Sequence, residues 1–124
     1  MRNNNVIEIK SKAFALRIIH MYQYLRSNKR EYVISKQALR SGTSIGVNIK
    51  EAAYAQTKAD FLTKMTIALK EASETEYWLY LLYESGFIGK PAYRSIHHDC
   101  EELIRLLTAI VKSTRSAIQV KSLS

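Results

Sequence analysis

Apolar residues recur along this chain in alternating steps of three and four, the spacing that keeps one stripe of an α-helix facing a partner. Four segments carry the pattern. They are Ile7, Phe14, Ile18, Met21 and Leu25; then Ile34, Ala38, Ile45, Ile49 and Ala52; then Phe61, Met65, Ala68, Ala72, Leu79 and Leu82; and last Ile96, Cys100, Leu103, Leu107 and Ile110. Each predicts one long helix. The residues between them are those that start and stop helices. Asn28, after Ser27, tolerates the left-handed conformation that ends a helix. Ser35 is placed to cap the second helix, with Ile34 and Leu39 as a hydrophobic staple. Thr57 and Asp60 have the spacing of a capping box, which makes a tight corner before the third helix. Gly86 ends that helix, and Pro91 suits the first turn of the fourth, where its missing N–H costs nothing. Connections this short set neighbouring helices antiparallel. The expected fold is all-α, a single up-down-up-down four-helix bundle over residues 1–124.

Composition narrows the class. A chain of 124 residues, 47% hydrophobic and 24% charged, has room for one core, and one Pro with four Gly cannot build the turns of a β-sandwich. The single Cys100 allows no intrachain disulfide, and MRNNNVIEIK lacks the unbroken apolar stretch of a signal peptide. The longest apolar run, Tyr77 to Tyr83, is seven residues, far short of the roughly 20 that span a bilayer. A cytoplasmic protein with no membrane partner is expected.

Two features exceed what a monomeric bundle needs. The run Tyr77-Trp78-Leu79-Tyr80-Leu81-Leu82-Tyr83 is apolar on every side. One stripe can face the core, which leaves Tyr77, Trp78, Tyr80 and Leu81 as candidates for a subunit interface. The second feature is a polar row in helix 2: Arg40, Ser44, Asn48 and Glu51 share a face beside the small residues Ser41, Gly42, Gly46, Ala52 and Ala53. Helix 3 offers Glu71 and Glu74, three apart. Arg40 is expected to pair with one of these glutamates, and Asn48 to bridge helices, because buried polar groups find partners.

The stretch Leu39-Arg40-Ser41-Gly42-Thr43-Ser44-Ile45-Gly46-Val47-Asn48-Ile49-Lys50-Glu51-Ala52 resembles the helix 2 signature of the small proteins encoded within intervening sequences of bacterial 23S ribosomal RNA genes. That signature reads approximately Arg-Ser-x-x-Ser-Ile-x-x-Asn-Ile-x-Glu-Gly. The segment Asp60-Phe61 through Ala68-Leu69-Lys70-Glu71-Ala72-Ser73-Glu74-Thr75-Glu76-Tyr77-Trp78-Leu79 is similar to the family's helix 3, with Lys70-Glu71 in place of a common Gly-Ser pair and Ala53 where Gly often follows helix 2. The resemblance implies an antiparallel four-helix bundle. It also implies a ring-shaped homopentamer, as in the related accessory protein of diversity-generating retroelements, and a role in binding nucleic acid rather than an enzymatic one.

Charge supports a polyanionic partner. The chain carries 19 basic and 11 acidic residues, for a net +8, and the excess is concentrated in residues 1–62. Bundle topology sorts it further. One end gathers Arg2, Lys10, Lys12, Lys50, Lys58, Lys64, Lys112, Arg115 and Lys121 against Glu8, Glu51 and Asp60. The other gathers Arg26, Lys29, Arg30, Lys36, Lys90 and Arg94 against Glu31 and Glu84. Lys50, Lys58, Lys64, Lys112 and Arg115 are the candidate phosphate contacts, of a kind that gives salt-sensitive binding with little sequence preference. Tyr22, Tyr24, Tyr32, Tyr54 and Tyr93 lie near the ends and are the residues placed to stack on unpaired bases. Arg40, Ser44, Asn48, Glu71 and Glu74 are read as a structural network.

Chemistry beyond binding finds little support. Arg94 and His98 share a face of helix 4, one residue too close for the Arg-x4-6-His pattern of bundle-type ribonucleases. His97, Cys100 and His20 lack the convergence of a zinc site, and Cys100 sits on the apolar stripe as a core residue. No phosphate loop or nucleophile motif occurs. The expectation is a protein without catalytic residues, metal, cofactor or small-molecule substrate, whose partners are its own copies and RNA or a nucleoprotein. A protein–protein adaptor is the competing reading.

Overall fold

The computed structural model describes residues 3–123, and side chains from Val6 through Leu123. Arg2, counted above with a basic end, lies outside them. Four helices follow in order: α1 (Asn3–Lys29), α2 (Ile34–Ala53), α3 (Lys58–Glu84) and α4 (Lys90–Leu123). Each packs on its neighbour in sequence, and α4 closes the circuit against α1, more lightly than the other pairs. This is the expected all-α bundle. Among the described residues no helix is long and apolar enough to cross a membrane.

The core follows the sequence stripes closely. Ile7, Phe14 and Ile18 of α1 meet Ile45, Ile49 and Ala52 of α2, Met65, Ala68, Ala72 and Leu79 of α3, and Ile96, Cys100, Leu103 and Leu107 of α4. A second cluster closes one end with Leu25, Ala38, Leu82 and Ile88. Met21, Ile34, Phe61 and Ile110 are only half-buried, Met21 packing against both clusters. Val111 takes the buried place expected for Ile110.

Close approach of α1 to α2 depends on Gly42. A Cβ there would stand 2.9 Å from Cγ1 and 3.0 Å from Cγ2 of the buried Ile18. Between α2 and α3, the hydroxyl oxygens of Ser41 and Thr75 lie 2.8 Å apart in full burial, and Thr75 donates to the Glu71 carbonyl at 2.8 Å. Two small polar residues thereby satisfy each other where a larger side chain would hold the helices apart.

The helix ends match expectation at two corners and depart from it at a third. Thr57 caps α3, its hydroxyl accepting from the Asp60 N–H at 3.0 Å. Gly86, at φ 85°, ends the same helix: its N–H bonds the Tyr83 carbonyl and that of Phe87 bonds Leu82. A Cβ is disfavoured in this backbone region, and Gly has none. At the α1–α2 corner the left-handed residue is Arg30, φ 53°, not Asn28, and α1 runs on to Lys29. Ser35 is not the cap of α2. It lies inside the first turn, fully buried, with its hydroxyl donating to the Glu31 carbonyl at 2.9 Å. The Glu31 carboxylate does the capping, accepting from the N–H groups of Val33 at 3.1 Å, Ile34 at 3.0 Å and Ser35 at 2.6 Å. A longer side chain reaching forward from the corner serves three orphan donors where a serine serves one.

Candidate functional site

The basic end takes shape where the α2–α3 corner meets the C-terminal part of α4. A cleft of about 380 Å³ is lined by Ala52, Gln56, Thr57, Lys58, Phe61, Ser113, Thr114 and Ala117. A second hollow beside it joins Lys58 to Ile118 and Lys121. On the adjacent side, Lys12 of α1 and Lys50 of α2 line one groove with Gly46, Val47 and Tyr54. Lys50, Lys58, Lys112 and Arg115 are exposed and make no ion pair among the described residues. Lys64 differs. Its ammonium lies 2.9 Å from Glu51, and that hydrogen bond with its attendant charge attraction raises its pKa. Lys10 is likewise tied across to Glu102 of α4 at 3.0 Å.

The polar row of α2 divides. Arg40 reaches both glutamates of α3, Glu71 at 3.5 Å and Glu74 more closely. Glu74 also accepts from the Trp78 indole N–H at 3.0 Å. That bond is the largest influence holding its carboxyl below the usual range; burial opposes it and Arg40 adds to it. Ser44 and Asn48 turn back instead, donating to the Arg40 and Ser44 carbonyls of their own helix at 2.7 and 2.9 Å. Among the described residues the expected bridge through Asn48 is therefore absent: a helix carbonyl one turn back lies within reach of its amide, and α3 is held by Arg40.

The aromatic run is partly covered by its own fold. Trp78 and Leu81 are half-buried, with Trp78 packed against the second core cluster. Tyr77 and Tyr80 remain 56% and 49% exposed. Tyr83 stacks on Tyr93, ring centroids 4.4 Å apart, and Tyr93 lies against the His97 ring at 5.1 Å.

One cluster escaped the sequence reading. His97 sits between two carboxylates, Nε2 at 3.1 Å from Glu76 of α3 and Nδ1 at 3.4 Å from Glu101 of α4. The spacing of His97 and Glu101, four apart on one helix, was the available signal; only the packing of α3 brings Glu76. The three groups stand close enough to form a ligand set; each imidazole nitrogen faces a different carboxylate, and the Glu76 contact joins α3 to α4. Cys100 is a core residue as expected. It is fully buried with its thiol donating to the Ala72 carbonyl at 3.4 Å, and burial, helped by Glu76, Glu101 and Asp99, pushes its pKa up to about 12. A thiol this hard to ionise is a poor nucleophile or metal ligand. Arg94 and His98 are both exposed on α4.

Comparison with known proteins agrees with this architecture. A family model described as 23S rRNA-intervening sequence protein matches residues 3–109. The chain is similar to a crystal structure of a protein with unknown function from the S23 ribosomal protein family of Bacteroides thetaiotaomicron. The two have a TM-score of 0.87 and 52% sequence identity, over 89% of this chain and 98% of that one. Among curated proteins, none matches.

Proposed function

Because the chain belongs to the 23S rRNA-intervening sequence protein family, we propose that it is a cytoplasmic, non-enzymatic protein that self-associates, as a homopentamer, and binds RNA through the basic end of the bundle. The observation that carries this reading is electrostatic. Lys58 lines the cleft at the α2–α3 corner and Lys50 the neighbouring groove, Lys112 and Arg115 are exposed on α4 next in sequence to Ser113 and Thr114 of the cleft, and no carboxylate among the described residues pairs with any of the four. Unneutralised cations on a rigid surface hold phosphates by releasing counterions, and repetition of that surface around a ring multiplies the effect. Lys64 contributes less directly, since Glu51 already holds it. Tyr77 and Tyr80 supply the exposed aromatic surface for contact between copies, flanked by Trp78 and Leu81.

Binding of a labelled RNA, followed by fluorescence anisotropy as salt is raised, tests the reading. Four phosphate contacts predict an affinity that falls roughly 10²-fold between about 50 and 200 mM salt. Replacing Lys50, Lys58, Lys112 and Arg115 with Gln flattens that dependence. No binding at low salt, or an affinity indifferent to salt, favours the adaptor reading, in which the bundle supports another protein.

A further inference from the structure

At the end of the bundle away from the Lys58 cleft, α1 passes to α2 through residues 30–33. Arg26, in the last turns of α1, lies against two aromatic rings. Its guanidinium carbon lies 5.4 Å from the centroid of Tyr22 and 5.5 Å from that of Tyr32, and Nη1 donates to the Tyr22 hydroxyl at 2.6 Å. Tyr22 stands one helical turn before Arg26. Tyr32 comes back to it from the corner, because Arg30 takes a left-handed conformation and Glu31 is anchored at the root of α2. The three groups form a ladder whose geometry is set before any ligand arrives.

The surroundings are cationic. Lys29, Arg30 and Lys36 are exposed and have no carboxylate partner among the described residues. The neighbouring acid, Glu31, is buried with both oxygens engaged by backbone N–H groups. Tyr32 is 51% exposed, so the Tyr32 side of the ladder is open to solvent. An acidic peptide would satisfy these cations but make no use of the exposed Tyr32 ring. An unpaired nucleobase uses both, since it offers a flat π-face beside a phosphate. A duplex keeps its base faces stacked on one another and has none to offer.

We propose that the Tyr22–Arg26–Tyr32 ladder binds unpaired bases of single-stranded RNA, with Lys29, Arg30 and Lys36 on the adjoining phosphates. The inference rests on the RNA-binding reading above, and assigns to it a second surface and a preference for single strands.

The test compares a labelled single-stranded RNA of about a dozen nucleotides with a duplex of the same length, using the full chain. The wild-type protein is expected to prefer the single strand. Tyr32→Ala lowers single-strand affinity about tenfold, and Tyr32→Leu, which keeps apolar bulk without a π-face, lowers it equally. Tyr32→Phe retains it. Thermal melts by circular dichroism are expected to show that all three variants fold. The inference is overturned if Tyr32→Ala or Tyr32→Leu binds as wild type does, or if the duplex binds as tightly as the single strand. If the wild-type protein binds no RNA at low salt, the broader reading falls too; if it binds RNA and the Tyr32 variants change nothing, only this inference does.

Discussion

Gly42 and Gly46 stand one turn apart on α2, and a methyl group added to each meets a different neighbour. At Gly42 it would press on the branched Cβ end of Ile18, at 2.9–3.4 Å, where a stiff β-branched side chain in a full core has nowhere to go. At Gly46 the nearest atoms belong to Ser11, at an ordinary 3.6–3.8 Å. Helix propensity favours Ala over Gly by about 1 kcal/mol at either position. Overpacking costs about 1–3 kcal/mol and outweighs that gain only at Gly42. Urea denaturation is therefore expected to show Gly46→Ala more stable than wild type and Gly42→Ala less stable. Glu31 gives a second test at this scale. Burial pushes its pKa up, but hydrogen bonds from Ser35, Ile34 and Val33 together outweigh burial and leave it below the usual carboxylate range. A carboxylate more acidic in the folded state stabilises above its unfolded pKa, about 4.3, and loses that contribution as pH falls through the folded value. Glu31→Gln should thus cost about 1 kcal/mol at pH 7, and the gap from wild type should close as pH drops below about 4.

At the scale of the helix pair, α2 and α3 are joined by an apolar seam with one polar clamp. Arg40 grips Glu71 and Glu74, and Glu74 in turn orients Trp78. The Arg40 side chain is 52% exposed, so water and salt screen its charge and the pair adds only about 0.5–1 kcal/mol of coupling. A double-mutant cycle of Arg40→Ala and Glu74→Ala is expected to return a coupling of that size that shrinks as salt is added. Much of this joint was legible in the sequence. Apolar stripes of period 3.6 named the buried residues, and the i, i+3 spacing of Glu71 and Glu74 across from Arg40 named the clamp. What escaped depended on the chain's path between helices or on the registry of two helices. Ser35 has the composition of a cap, yet the left-handed turn at Arg30 swings Glu31 under the helix first. Asn48 has the position of a bridge, yet its own helix offers a nearer carbonyl. Glu76 joins His97 and Glu101 only because α3 and α4 pack in one register. The same limit holds for the cations: a count finds nineteen, but only packing shows that Lys64 and Lys10 are held by carboxylates while Lys58 is not.

For the whole molecule, the question is which surface the bundle leaves uncovered. Trp78 shields itself against the second core cluster, so the aromatic face narrows to Tyr77 and Tyr80, with Tyr77 set edge-on to Trp78 at 5.2 Å. Two aromatic side chains of this size bury on the order of 150–250 Å² each when fully covered, at about 25 cal/mol per Å². A carboxylate in their place would carry a desolvation cost at any interface and none in an isolated chain. Tyr77→Glu combined with Tyr80→Glu should therefore move the sedimentation equilibrium of the protein toward the mass of a single chain, with the helical circular dichroism of wild type retained. Retention of the wild-type mass by this folded variant would place the contact between copies elsewhere on the bundle. Loss of helicity together with mass would show that the face belongs to the core. Only the dissociated, folded chain agrees with an interface built on residues that the monomer keeps half in water.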